Sequence, residues 1–248
     1  GVKKGDRVAL YLPNCPQYVI GYYAILKIGA VVAPNNPLYT APELKFQLND
    51  AGAETIICLS RFYPNVQKIR QETKLKHVIV ANIKEYFSPL RRLIFSIVRE
   101  QREGHRIDLR GAQDAYSFQE LLMQSSALTP SVDVMPDDLA LIQYSSGTTD
   151  APKGVMLTHA NIVANTAQVR HWITDIDEGD ERMLCVLPFS HSYGMTTALN
   201  VGISIAATLI LLPTFSTREV LQVIARYRPT LFPGVPTMYT AINNFPEL

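Results

Sequence analysis

Hydroxyl groups are concentrated in one short loop of the sequence, with a lysine at its far end. The segment 144–155 reads Tyr-Ser-Ser-Gly-Thr-Thr-Asp-Ala-Pro-Lys-Gly-Val and follows an apolar run over 139–143. Its serine and threonine hydroxyls, its backbone N–H groups around a flexible glycine and the ammonium of Lys153 can surround a polyphosphate. The composition therefore predicts a phosphate-binding loop.

The spacing within the loop separates it from two common phosphate-binding motifs. It has neither the Gly-x-x-x-x-Gly-Lys-Ser/Thr order of P-loop ATPases nor the Gly-x-Gly-x-x-Gly order of dinucleotide-binding folds. Serine, threonine, aspartate, proline and glycine are also common turn residues, so a polar hairpin loop without a ligand explains the composition equally well. Composition alone leaves both interpretations open.

Strands and helices alternate on the N-terminal side of the loop. The predicted elements are a helix capped by Asn14 and ended by Gly29, a strand over 31–33, a helix opened by a capping box at 40–43 and ended near Gly52, a strand over 55–59, a helix over 66–72 and a strand over 77–81. Such alternation implies a parallel sheet with right-handed crossovers. The first half is therefore predicted to be α/β.

The alternation returns on the C-terminal side of the loop. We predict a strand over 183–187, a helix over 194–206, a strand over 209–212, a helix opened by a capping box at 216–219, a short strand over 231–232 and the start of a further helix. The acidic run over 175–181 lacks the spacing of a calcium loop, so a solvated linker is favoured over a metal site.

These elements predict an α/β fold with two parallel-type sheets and flanking helices in αβαβα layers, the second sheet being incomplete. We expect a first α/β subdomain over 1–179, which includes the loop 144–154 and an insertion over 82–111. A partial second α/β subdomain is expected over 180–248.

The overall composition excludes several classes of protein. With 47% apolar and 18% charged residues the chain is globular, and a net charge of +1 argues against a nucleic-acid partner. The three cysteines, Cys15, Cys58 and Cys185, have no CxxC spacing and do not suggest a disulfide framework. A cytoplasmic location is therefore favoured. The apolar stretch 195–212 reaches the lower length limit of a membrane-spanning helix, but polar and helix-breaking residues interrupt it and favour a buried strand.

The loop, together with Met-Leu-Thr-His-Ala-Asn over 156–161, resembles the phosphate-binding signature of the adenylate-forming (AMP-binding) superfamily. That superfamily includes acyl-CoA synthetases, adenylation domains of peptide synthetases and luciferases. The segments 10–14, 29–37, 187–191 and 233–237 share the resemblance. Asp150 stands where the family usually has glycine, and its charge would repel phosphates unless it points away or contacts magnesium.

The resemblance implies a two-step activation of a carboxylic acid. The acid attacks the α-phosphorus of Mg²⁺-ATP to give acyl-AMP and pyrophosphate, and the thiol of coenzyme A then displaces AMP. By similarity, the ATP phosphates are held by Ser145, Ser146, Gly147, Thr148, Thr149, Lys153 and Gly154, and the Ser145 hydroxyl can approach Mg²⁺. His191 is the implied catalytic residue, and His191, Gly234 and Val235 line the implied acyl pocket.

The other histidines, His77, His105, His159 and His171, form no ligand-like cluster. For His191 the alternative to the catalytic role is a core histidine at a strand end. The resemblance also implies that the ribose site, a hinge and a catalytic lysine lie downstream of Leu248. We therefore expect a piece of an N-terminal domain without turnover of its own, its oligomeric state being open.

The insertion over 82–111 bears on the acyl group. Ser88 and Pro89 open a predicted helix that Gly104 ends, and its apolar residues follow helical spacing at Leu90, Leu93, Ile94, Ile97 and Val98, with arginines at 91, 92, 99 and 102. The segment 83–106 carries a net charge of +3, which suits a helix over 89–103 lying on an anionic membrane at its cytoplasmic face. A helix packed on the domain is the alternative.

With an insertion at this place, the chain resembles the bacterial long-chain fatty acid ligases. A long-chain fatty acid is therefore the first choice of substrate. Three alternatives stay open: an aryl or medium-chain acid ligase, a non-catalytic nucleotide-binding module and a peripheral membrane module.

Overall fold

The computed structural model describes residues 1–128, 130–145 and 152–246. Contacts divide the chain into two compact units, one of Gly1–Leu12 with Pro16–His159 and one of Pro13–Cys15 with Ala160–Leu248. The predicted subdomain boundary between 179 and 180 stays a prediction.

The first unit is built on a seven-stranded sheet. Its strands are β1 (Arg7–Tyr11), β2 (Val31–Pro34), β3 (Thr55–Leu59), β4 (His77–Ala81), β5 (Ala115–Ser117), β6 (Leu139–Ser145) and β7 (Lys153–Thr158). Their order is β5-β4-β3-β1-β2-β6-β7. All neighbours run parallel except β6 and β7, which are antiparallel.

The helices of this unit follow its strands. They are α1 (Pro16–Lys27), α2 (Ala41–Ala51), α3 (Tyr63–Ile69), α4 (Pro89–Val98) and α5 (Phe118–Gln124), with short 3₁₀ turns at Ser60–Phe62, Arg70–Glu72 and Ile83–Tyr86. The predicted capping box opens α2 at Thr40, and Gly52 ends α2 with a φ of 63°. The core between sheet and helices includes Tyr11, Leu44, Leu48, Ile56, Val66 and Val78.

The second unit contains α6 (His159–Trp172) from its second residue, β8 (Arg182–Cys185), α7 (Ser192–Gly194), a π-helical turn (Met195–Asn200), α8 (Val201–Ser204), β9 (Thr208–Leu211), α9 (Thr217–Tyr227) and α10 (Pro236–Asn243). β8 and β9 pair in parallel, and Met183 bridges to Leu231. Leu184, Val186, Leu187, Val220 and Met238 form its core.

The predicted fold class is confirmed, and several details differ. The helix expected to run to Gly104 ends at Val98, with Arg99 as its C-cap, and the following residues fold into turns. The helix expected over 194–206 is divided by the π-helical turn. The strand expected at 231–232 is a single bridge, since Pro233 has no N–H to extend a ladder.

The structure also differs from two further expectations, one at Ser216 and one in the acidic run. Ser216 precedes α9 but makes no side-chain capping hydrogen bond, so the predicted capping box is wrong there. In the acidic run, Glu181 is buried and accepts hydrogen bonds from the Thr230 hydroxyl and the Asp177 N–H, so this residue is not solvated linker. Of the helices in the described ranges, none has the length and apolar character needed to cross a membrane.

Candidate functional site

The hydroxyl-rich loop joins the last two strands of the seven-stranded sheet. β6 and β7 place Tyr144 opposite Gly154 and Ser145 opposite Lys153. Ser145 and Lys153 are both exposed. The predicted ligands Ser146, Gly147, Thr148 and Thr149, and the atypical Asp150, lie outside the described residues. The structure thus brings a hydroxyl and an ammonium to the two sides of the base of the loop.

Two contacts fix this base on the sheet. Tyr144 Oη donates a hydrogen bond to Oδ2 of Asp50 on α2, at 2.6 Å. Burial and this carboxylate raise the pKa of Tyr144, so its hydroxyl remains a donor. At Gly154 an added Cβ would lie 2.8 Å from Cγ2 of Ile142 and 3.2 Å from the Tyr144 ring. Glycine at 154 is therefore explained by packing as well as by the predicted approach to phosphate.

The chemistry of this base suits a magnesium-bound polyphosphate. The Lys153 ammonium is a point charge for phosphate oxygens, and the Ser145 hydroxyl is an oxygen ligand of the kind that Mg²⁺ accepts. Within 1–128, 130–145 and 152–246, no three His, Cys, Asp or Glu side chains are grouped to hold a metal ion. From these residues, Mg²⁺ would have the Ser145 hydroxyl, with phosphates and water as its other ligands.

In the second unit, His191 is the N-cap residue of α7. The backbone N–H of Tyr193 donates to Nδ1 of His191 at 3.2 Å. Because the accepting nitrogen carries no proton, the neutral ring holds its proton on Nε2. His191 is exposed, so the alternative of a core histidine is wrong. Its Nε2–H is a donor able to bind a carboxylate or phosphate oxygen.

The backbone of Gly234 lies between two tyrosines. Tyr193 Oη donates to the Gly234 carbonyl oxygen at 3.3 Å. An added Cβ on Gly234 would lie 2.9 Å from Oη of Tyr239, so only glycine fits against that ring. Val235 packs its side chain against the core of the second unit. Tyr193 thus links the predicted acyl-pocket residue Gly234 to His191, two positions before Tyr193.

Asn14 holds the segment that leads to His191. Its Nδ2 donates to the carbonyl oxygens of Cys185 and Leu187, at 3.1 and 2.9 Å, and its Oδ1 accepts from the Phe189 N–H at 2.9 Å. Asn14 is 2% exposed. We expected this side chain to cap the first helix, but it satisfies the end of β8 and the loop after it.

The turn into α7 is tight. An added Cβ on Gly194 would lie 2.4 Å from the carbonyl oxygen of Pro188, a distance that no side chain tolerates. The π-helical turn follows directly, and such turns are frequent at functional sites. Thr197 Oγ1 donates to the Tyr193 carbonyl oxygen at 2.7 Å across this turn. The backbone that presents His191 and Tyr193 is therefore closely packed.

A cavity lies elsewhere, in the first unit. It measures about 480 Å³ and is lined by residues at the carboxyl ends of β3, β4 and β5, among them Asn82, Glu85 and Tyr116. None of the described residues predicted for the site lines it. The cavity and the predicted phosphate and acyl contacts are separate features.

Comparison with known proteins now assigns the chain. The model of the AMP-binding enzyme family matches residues 1–248. The chain belongs to this family. A long-chain-fatty-acid–CoA ligase of Bacillus subtilis (strain 168) is 41% identical over 252 residues, covering 100% of this chain and 44% of that relative. This member of the AMP-binding family therefore spans less than half the length of that curated relative.

Solved structures agree with the family. A long-chain-fatty-acid–CoA ligase from Archaeoglobus fulgidus superposes with a TM-score of 0.78 at 27% identity, over 98% of this chain and 42% of that one. ATP-bound MatB from Rhodopseudomonas palustris has a TM-score of 0.78 at 27% identity, over 100% of this chain and 42% of that one. These acyl-CoA ligases thus resemble this chain in sequence and have the same fold.

Sequence reasoning missed three residues of the candidate site in this AMP-binding family member. Tyr193 and Tyr239 flank Gly234, and Asn14 ties down the segment before His191. Tyr193 lies two residues after the predicted histidine and could have been chosen on proximity. Asn14 had no local signal, because its partners lie more than 170 residues along the chain.

Proposed function

We propose that the complete gene product is an ATP-dependent acid–thiol ligase that converts a long-chain fatty acid into its coenzyme A thioester. The observation that carries the proposal is the Ser145–Lys153 pair at the base of the hydroxyl-rich loop, in a chain of the AMP-binding family. In the first step a carboxylate oxygen bonds to the α-phosphorus of ATP and pyrophosphate leaves. In the second, the thiol sulfur bonds to the acyl carbon, AMP leaves and the thiol proton is released.

Lys153 and Ser145 serve the first step. The ammonium and the hydroxyl donate to oxygens of the β- and γ-phosphates, where negative charge accumulates as pyrophosphate departs. Mg²⁺ would neutralise the same phosphate charge when bound. The bond from Tyr144 to Asp50 holds β6, the strand that carries Ser145, against α2.

His191 binds and orients the carboxylic acid substrate in this proposal. Its Nε2–H donates to the carboxylate or to the α-phosphate oxygen, because its Nδ1 is occupied by the Tyr193 N–H. Orienting the carboxylate in this way contributes through positioning. Gly234 and Val235 border the acyl chain in this proposal.

A long chain is favoured over an aryl or medium-chain acid by two observations. The B. subtilis and A. fulgidus proteins are both named for long-chain fatty acids. The insertion expected of such ligases is present as α4 and the turns that follow it.

The test is acid-dependent exchange of labelled pyrophosphate into ATP, followed by thioester formation with coenzyme A. The complete gene product is assayed with palmitate, octanoate and benzoate, with the 248-residue chain in parallel. Exchange that is highest with palmitate supports the proposal. A preference for benzoate or octanoate overturns the long-chain assignment, and no exchange with any acid overturns the adenylation.

A further inference from the structure

The apolar stripe of α4 faces solvent. Its five members are exposed by between 52% and 76%: Leu90, Leu93, Ile94, Ile97 and Val98. The helix packs on the first unit, as the alternative expectation had it, but the stripe is not the face that packs. Five adjacent exposed aliphatic side chains form a patch of the kind that marks an interaction site.

The opposite face of the same helix is packed. Phe95 is 7% exposed and meets Phe87 edge-on, with ring centroids 5.5 Å apart. His105 lies against the same ring at 5.6 Å and bonds through Nδ1 to the Ser60 hydroxyl at 2.8 Å. At roughly 100° per residue, Phe95 points about 140° away from the centre of the stripe. The helix thus has one inward anchor and an outward apolar face.

Polar contacts hold the helix in this orientation. Lys84 Nζ contacts Glu100 Oε2 at 2.6 Å and Ser96 Oγ at 3.0 Å, at one side of the anchor. Arg92 Nη2 donates to the Glu85 carbonyl oxygen at 2.6 Å. These bonds attach both ends of α4 to the segment before it, so the orientation of the stripe is fixed.

Charge around the stripe is positive toward solvent. Arg91, Arg99, Arg102 and Arg106 are all exposed. The acids of the same segment are used elsewhere: Glu100 binds Lys84, and Glu85 accepts from Gln17 and from the Asn82 N–H. Glu103 alone among the three acids of 83–106 faces an arginine of this group, Arg99, at 3.6 Å.

We propose that the exposed face of α4, with the arginines that flank it, is a docking surface for an anionic lipid bilayer. Aliphatic side chains enter the acyl boundary while arginines meet the lipid phosphates, the arrangement typical of interfacial helices. Charge complementarity selects a lipid surface over a second copy of the chain, because two such faces would bring their arginines together. The proposal goes beyond the ligase chemistry and is tested by binding, so it stands or falls independently of that chemistry.

The experiment is co-sedimentation of the protein with vesicles of phosphatidylcholine alone or mixed with phosphatidylglycerol. We expect binding to the mixed vesicles that weakens as salt is raised. Leu93→Gln with Ile97→Gln lowers the partition coefficient at least about tenfold, through lost apolar burial. Arg91→Gln with Arg102→Gln lowers it about fivefold for each arginine. Arg91 lies in the first helical turn, where loss of a cation does not weaken the helix.

Matched controls remove equal apolarity or charge elsewhere in the first unit. Leu122→Gln with Met123→Gln changes two exposed residues of α5, and Lys27→Gln with Lys68→Gln removes two exposed cations. Equal losses in test and control variants overturn the proposal, as does absence of binding to anionic vesicles at low salt. Self-association in solution that the α4 substitutions abolish would assign the face to a second copy and also overturn it.

A label gives a readout that does not depend on stability. Cys15, Cys58 and Cys185 are buried, so Ile97→Cys supplies an exposed thiol for an environment-sensitive fluorophore. A blue shift on anionic vesicles at position 97, and none at Met123→Cys, supports insertion of this face. Equal spectra at both positions contradict it.

Discussion

Tyr144 Oη and Asp50 Oδ2 lie 2.6 Å apart, so that a helix N-terminal in the sequence is tied to the strand that enters the hydroxyl-rich loop. Tyr144→Phe removes this charge-assisted bond and is expected to lower the free energy of unfolding by about 1.5 to 3 kcal/mol. Urea denaturation measures this loss in the free energy of unfolding. Asp50→Asn should cost less when combined with Tyr144→Phe than alone; strictly additive losses would show that the pair does not interact.

Lys153→Met in the complete gene product is expected to reduce ATP-dependent adenylation roughly ten- to a hundredfold, the effect of losing a charge-assisted contact to phosphate of about 1.5 to 3 kcal/mol. Pyrophosphate exchange at varied ATP measures it. Lys68→Met, a change of the same kind on α3, should leave the exchange unchanged. Wild-type kinetics for Lys153→Met would remove this lysine from the phosphate site.

His191→Asn separates capping from catalysis. Asparagine can accept the Tyr193 N–H at the N-cap, so thermal stability should stay within about 0.5 kcal/mol of wild type. The donor at Nε2 is lost, and loss of one such donor typically costs about a hundred- to a thousandfold in turnover. Pre-steady-state formation of acyl-AMP measures the loss. An active His191→Asn enzyme would show that Nε2 does not contact the reacting groups.

Asn14→Ala leaves two carbonyl oxygens and one N–H without their partner in a buried place. We expect a loss of about 2 to 4 kcal/mol in the free energy of unfolding, since each unsatisfied buried group costs about 1 to 3 kcal/mol and water recovers part of it. Chemical denaturation measures it. Asn36→Ala, at an exposed asparagine, is the control; equal stability of both variants would contradict the role of Asn14.

His105 makes the stability of the contacts that hold α4 depend on pH. Burial, and then Arg61, lower the pKa of His105, while Glu103 and Glu100 act in the opposite direction. A histidine with a lowered folded-state pKa contributes fully above its unfolded value of about 6.5, and that contribution is lost as the pH falls below it. Thermal unfolding between about pH 8 and pH 5 should therefore show a smaller loss of stability in His105→Gln than in wild type. Parallel curves would exclude His105 as the titrating group.

Local signals predicted some of the strands and helices of the first unit closely. The strands over 55–59 and 77–81 have the expected bounds, because short apolar runs between turn residues leave few alternatives. α2 runs from its capping box to Gly52 as expected, since both ends carry a specific backbone signal. β1, β5, α5 and β7 were not predicted. For β7 the reason is that its pairing with β6 depends on a partner strand rather than on its own pattern.

The candidate site was predictable only in part. Ser145, Lys153 and His191 were identified from motif positions, whereas the supports of Tyr144 and Asn14 depend on partners distant in sequence. The periodicity of α4 was correct, but periodicity gives the direction of a stripe relative to its own helix and not relative to the sheet. Phe95, which decides that direction, lies outside the stripe.

The position of β6 in the sheet has a consequence for how the chain folds. β6 pairs with β2 through Val32 and Leu141, so this contact closes a very long loop. The neighbours β1 to β4 pair over much shorter separations and can form while the rest of the chain is still being synthesised. We therefore expect the hairpin that carries the hydroxyl-rich loop to join a pre-formed four-stranded sheet late in folding. Substitutions at Leu141 of β6 should then slow folding less than substitutions within β1 and β3, as stopped-flow refolding would measure.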